Sequence, residues 1–256
     1  MTQRVDHIGF SQRIRLDWLE LTANLVLAGN DESVVYSSLQ EFLKDKLSVG
    51  SNARWGNRAK TISILMRIWV RPPRILRPLH RDGLNLLSRL PAEEHLAAHW
   101  GMTMAAYPFW GAVATQVGRL LRLQGAVRHA QVRRRIMEQY GQRPTVKDAV
   151  RRVLRSMIDW GVLDERRDSH SRGAYVHGRS LSITDVRLIA WLVEAFLHAQ
   201  PNGSGSLELI LNAPVFFPFR IDPISAAQLA SGSERLEVLR HSLDQDLILL
   251  RPTTGK

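Results

Sequence analysis

The sequence predicts a mainly α fold in three parts: a helical N-terminal bundle, a central unit of helices closed by a hairpin, and a small α+β C-terminal part. Three observations predict it. Apolar residues recur at helical spacing through most of the first 160 positions. The stretch PTVKDAVRRVLRSMIDWGVLDERRDSHSRGAYVHG (144–178) carries a helix start, a helix stop and two short extended segments. Strand-like runs gather only after about residue 200. The expected boundaries are 1–104, 105–180 and 181–256.

In the first part, SQRIRLDWLELTANLVLAG (11–29) reads as a helix ending on Gly29, and Asn30 or Asp31 can cap the next, ESVVYSSLQEFLKDKL (32–47). RAKTISILMRIWV follows and stops at Pro72 and Pro73, because proline lacks the amide proton and clashes with the preceding turn. LHRDGLNLLSRL and AEEHLAAHWGMTMAAY supply further helix. In the middle part, YPFWGAVATQVGRLLRLQG (107–125) predicts a buried helix, and AVRHAQVRRRIMEQYG (126–141) a second that ends at Gly141.

The third central helix is the best specified. Thr145 is the expected N-cap, with Asp148 as its capping-box partner. Val146, Ala149, Val150, Val153, Leu154, Met157 and Ile158 form one stripe of a 3.6-residue helix, and Gly161 closes it. VLDERR and GAYVHG then pair around DSHSR. In the last part, TDVRLIAWLVEAFLHAQ (184–200) is a helix with Asp185 in its first turn, and PNGSGS (201–206) reads as a flexible break. LELILN, VFFPFRI, RLEVLR and DLILLR are expected strands, with a small helix near PISAAQLA.

Charge adds a functional direction. The chain's formal charge is +11, divided as +4 over 1–100, +9 over 101–179 and −2 over 180–256. A polyanion is the natural partner of such a middle, nucleic acid ahead of membrane. The order helix, helix, turn, capped helix, hairpin is that of a winged helix-turn-helix, whose third helix enters the major groove of DNA. The apolar stripe must face the other helices, which leaves Lys147, Arg151 and Arg155 in a row opposite it, with Arg152 beside them. Like charges so spaced do not help a helix form, whereas phosphate would turn their repulsion into attraction. Arg143 in the preceding turn and Arg166, Arg167, His170 and Arg172 in the hairpin are the accompanying candidates. Arg133, Arg134 and Arg135 could meet flanking phosphate. A second basic stretch, MRIWVRPPRILRPLHRDG (66–83), spaces Arg67, Arg71, Arg74, Arg77 and Arg81 around Trp69 and His80; a solvated helix junction with its arginines paired to carboxylates is the favoured reading.

Catalytic signatures are missing. Absence of cysteine excludes disulfides, thiolate nucleophiles and cysteine-bound zinc. His95 and His99 in EEHLAAHW could share a metal, but Leu96 stands where a zinc protease needs glutamate, so neither metal nor cofactor is expected. NGSGSLELI lacks the Lys-Ser/Thr of a phosphate loop. Trp100, Trp110, Trp160 and Trp191 are expected in the core. The opening MTQRVDHIGF holds no signal-peptide core, and no uncharged apolar run approaches the roughly 20 residues that span a bilayer. A cytoplasmic, non-membrane protein is expected.

Two stretches, NRAKTISILMRIWVRPPRILRPLHRDGLNLL and VKDAVRRVLRSMIDWGVLD, are arranged as in a known family. In organisation and hydrophobic pattern over about residues 10–165 the chain resembles the BrxA-type proteins of BREX phage-defence systems, which join a NusB-like helical bundle to a winged-helix part. The resemblance implies double-stranded DNA binding without catalysis, beside other subunits of a bacterial anti-phage system. The tail beyond about 200 departs from that pattern. A winged-helix transcription regulator and a protein–protein assembly subunit are the competing expectations.

Overall fold

A computed structural model describes residues 8–47, 56–166, 173–242 and 245–251. Helices dominate, and the sheet content is small. The first part contributes α1 (Leu16–Leu27), α2 (Glu32–Phe42), α3 (Asn57–Trp69), α4 (Arg77–Leu87) and α5 (His95–Ala106). Asp31 caps α2 by accepting the Ser33 and Val34 amides at 2.8 and 2.9 Å, which satisfies two amides that have no partner within the helix. α3 stops just before the two prolines, as their chemistry requires. α1 starts five residues later than its apolar spacing predicts. Residues 11–15 stay out of the helix because Ile14 spends both backbone groups elsewhere: its amide donates to Ser156 Oγ at 2.9 Å, and its carbonyl accepts from Trp160 Nε1 at 3.0 Å.

The middle part runs α6 (Pro108–Gln124), β1 (Val127–Arg128), α7 (His129–Tyr140), α8 (Pro144–Asp159), β2 (Leu163–Glu165) and β3 (Ala174–His177). β2 and β3 pair antiparallel, with Asp164 opposite Val176, as the two extended segments predict. β1, which spacing alone reads as the start of a helix, instead adds to the free side of β3, giving the order β1-β3-β2. α8 begins two residues earlier than expected. Pro144 occupies its first turn, where a missing amide costs nothing, so Thr145 is not the cap. Asp148 closes no capping box and lies 3.3 Å from Arg151 instead. Gly161 ends the helix at φ +71°, a conformation that a side chain would strain.

The last part holds β4 (Leu181–Ile183), α9 (Val186–Ala199), β5 (Ser204–Ser206), α10 (Leu207–Leu211), β6 (Phe219–Ile221), α11 (Ala226–Gly232), β7 (Leu236–Ser242) and β8 (Gln245–Leu250). Asp185 proves to be the N-cap of α9, accepting the Arg187 and Leu188 amides. β4 and β6 are parallel, while β5, β8 and β7 form an antiparallel sheet in that order. Three expectations change here. PNGSGS is no break, since residues 204–206 pair with β8, and LELILN is a short helix rather than a strand. Of VFFPFRI, only the end forms a strand; its start lies in a 3-10 turn (Pro214–Phe216).

The core is continuous across all three stretches of sequence. α5 is buried around its whole circumference from Leu96 to Ala106. Trp100 at its centre meets Trp110 and Trp160 of the middle part, and Phe217 and Phe219 of the last, at ring separations of 5.5 to 5.9 Å. Edge-to-face pairs of this kind add about 1 kcal/mol each beyond their buried area. Trp100, Trp110, Trp160 and Trp191 are all buried, as their apolar contexts predict. No helix among the described residues is long and apolar enough to cross a membrane.

Candidate nucleic-acid interface

α8 is amphipathic with a sharp division. Val146, Ala149, Val150, Val153, Leu154 and Met157 are buried, and Ile158 is half-buried. The N-terminal segment seals a further flank. Besides the two Ile14 bonds, Arg13 forms a bidentate ion pair with Asp159. Ser156, one of few buried polar residues of this helix, is thereby satisfied on both sides, since its hydroxyl also donates to the Arg152 carbonyl at 2.9 Å. These contacts fix the rotation of α8 and leave Lys147, Arg151 and Arg155 exposed in one row, with Arg152 half-buried at its edge.

The row is partly paired. Arg151 faces Asp148 at 3.3 Å, and Arg155 reaches Glu165 of β2 at 3.0 Å. Both pairs are exposed, and such pairs contribute about 0–1 kcal/mol, so either arginine can exchange its carboxylate for a phosphate at little cost. Lys147 makes no ion pair among the described residues. Arg143 is exposed, but its guanidinium donates to the Tyr140 carbonyl at 3.0 Å, bracing the turn between α7 and α8. In the hairpin, the Arg166 side chain is exposed, and its amide donates to the Ala174 carbonyl at 2.8 Å. Arg167, His170 and Arg172 lie outside the described residues. On α7, Arg133 and Arg135 are half-buried, while Arg134 is exposed and 3.8 Å from Glu138.

One residue of this surface escapes sequence reasoning. His129 opens α7, half-buried, and its Nε2 is enclosed without a hydrogen-bond partner among the described residues. Burial first, and then the positive charges of Arg133, Arg151, Lys147 and Arg155, hold its imidazole below the ordinary range. His129 thus marks where basic side chains of α7 and α8 converge. The available signal was its place four residues before Arg133, but only the fold brings the α8 row beside it. Tyr175 of β3 is also buried nearby; burial pushes its hydroxyl up, Arg155 opposes that and Glu165 adds to it.

The second basic stretch behaves as a helix junction. Arg71 pairs with Glu32 at 2.8 Å, Arg67 lies over the Tyr107 ring, and Trp69 is buried and unavailable to a base. His95 and His99 do converge, but on Glu20. Trp69 donates to His99 Nδ1 at 3.0 Å, so His99 Nε2 carries the proton and donates to Glu20 at 2.7 Å. His95 Nδ1 meets the other carboxylate oxygen at 2.9 Å. The His99 hydrogen bond is the main cause that holds the Glu20 carboxyl at about 2. No cluster suited to a metal ion occurs among the described residues.

No family model, curated protein or solved structure matches the chain.

Proposed function

We propose that residues 107–178 form a winged helix-turn-helix, and that the protein binds double-stranded DNA without catalysing a reaction on it. The observation that carries the reading is the exposed row Lys147, Arg151 and Arg155 on a helix whose opposite side is locked into the core. In this reading α8 approaches the major groove, and Arg152 and Arg143 support it from the flanks. Arg166, Arg167 and Arg172 of the hairpin reach the phosphate backbone, and Arg133, Arg134 and Arg135 meet flanking phosphate. The α8 row has no Asn or Gln to read adenine, so phosphate contacts dominate and sequence preference is modest. Affinity for random duplex then falls at about 10⁻⁴ to 10⁻⁶ M at physiological salt. Membership of a multi-protein anti-phage system rests on the resemblance to BrxA-type proteins.

Fluorescence anisotropy of a labelled random duplex, titrated at several salt concentrations, tests the reading. Replacing one phosphate-contacting residue lowers the slope of log K against log salt by about 1, so Arg151→Ala with Arg155→Ala lowers it by about 2. An unchanged slope removes α8 from the interface. One observation favours a second reading: Asp148 and Glu165 already neutralise two members of the row, which suits an assembly surface for a protein partner. Absence of duplex binding at micromolar protein and low salt favours that alternative.

A further inference from the structure

α4 holds the part of the second basic stretch that the first bundle leaves uncompensated. Its core side is Leu79, Gly83 and Leu87, with Leu76 just before it, all buried. α9 fixes its rotation: Trp191 Nε1 donates to the Leu79 carbonyl at 2.8 Å, and a Cβ on Gly83 would stand 2.8 Å from the Trp191 ring. The side away from the core carries Arg74, in the 3-10 turn (Arg74–Leu76) that leads into the helix, then Arg77 and Arg81, at i, i+3 and i+7. All three are exposed, and none forms an ion pair among the described residues. Their neighbours are already committed: Arg71 to Glu32, and Arg67 to the Ala106 carbonyl and the Tyr107 ring. Asp82, the single acidic residue of α4, reaches away to Arg235.

Local chemistry does not favour this row. Arg77 and Arg81 repel each other one helical turn apart, and Arg77 opens the helix, where the backbone dipole disfavours a cation. An anionic partner reverses both effects. The row is about 11 Å long, a span over which a duplex presents about six phosphate charges. A membrane-surface helix would need its apolar side free, and here that side is spent on the core. Ile75 beside the row is 39% exposed, a patch too small for the apolar anchors that protein partners use. We propose that Arg74, Arg77 and Arg81 form a second contact surface for the phosphate backbone of duplex nucleic acid, on a different helix from the α8 row. Duplex binding by the protein is the premise this surface rests on, and separate variants of α4 and α8 tell the two apart.

Anisotropy of a labelled random duplex with the full chain, at several salt concentrations, tests it. Arg77→Ala with Arg81→Ala is expected to lower the slope of log K against log salt by about 2, and Arg74→Ala added to them by about 1 more. Arg77→Lys with Arg81→Lys keeps both charges and should keep the slope. The same fall should appear in a chain already carrying Arg151→Ala and Arg155→Ala, because the two rows contribute independently. A slope unchanged by the α4 alanines overturns the proposal, whatever the α8 variants do. A slope that falls equally in the lysine pair overturns it too, since packing rather than charge is then at work. A slope lowered by the α4 variants alone keeps the proposal and removes α8 from the interface. Absence of duplex binding at low salt overturns it. So does tighter binding, lost in the α4 variants, to polyglutamate or to vesicles of phosphatidylcholine and phosphatidylserine in equal parts.

Discussion

His129 sits where four cationic side chains act on one imidazole, and its buried Nε2 lacks a partner among the described residues. Burial and those charges hold its proton affinity below the ordinary imidazole value. Phosphates at the same surface would offset the four charges, so the imidazole of a complex would bind a proton more readily than that of the free protein. In the proposed complex with DNA the chain would then carry more protons than the free protein as pH falls, and affinity is expected to rise with acidity. Anisotropy measured from pH 8 to 6 should show that rise, and His129→Gln should flatten it. A wild-type profile as flat as the variant's would remove His129 from the interface. The sequence lists His129 plainly, but its importance was not legible, because the charges around it come from positions up to 26 residues away.

α8 was the most legible element, since its buried stripe and its basic row both follow from helical periodicity. Its first residue was misjudged: Thr145 is a favoured capping type, yet Pro144 can begin a helix without losing a hydrogen bond. Short elements were less legible. LELILN has strand-like composition, but so short a segment with four apolar residues suits either state, and packing chose a helix. Close approach between elements is likewise invisible in sequence. α6 passes the 3-10 turn at 214–216 so tightly that a Cβ on Gly118 would lie 1.9 Å from the Pro214 carbonyl oxygen. Within a helix Gly→Ala normally stabilises by about 1 kcal/mol. Overpacking against backbone costs about 3 kcal/mol, so the clash wins. Gly118→Ala should therefore lower stability by about 2 kcal/mol, read as a drop in the urea midpoint. A neutral or stabilising result would show that the two elements separate easily.

Across the whole molecule, Arg235 ties together segments far apart in the chain. Its guanidinium reaches Asp82 of α4 and Glu194 of α9, the latter at 2.6 Å, while Ser233 donates to Glu194 at 3.0 Å. Glu194 is only 1% exposed. Burial pushes its carboxyl up, but His198 at 3.7 Å and hydrogen bonds from Arg235 and Ser233 outweigh that and keep it below the ordinary range, hence charged. Arg235→Leu leaves this buried charge short of a partner and should cost about 3–5 kcal/mol. Adding Glu194→Gln should recover most of the loss in chemical denaturation, and failure to recover it would show that Arg235 acts through packing alone. By itself the sequence determined the longer helices, the pairing of β2 with β3 and the basic bias of the middle third, because periodicity, proline and glycine chemistry and charge are local properties. Only the tertiary structure decided that residues 11–15 leave α1 to brace α8, that one core runs through all three stretches, and that His129 lies among four cations. Those outcomes depend on contacts between residues far apart in the chain, whose free energy is set by burial and pairing in three dimensions rather than by neighbours in sequence.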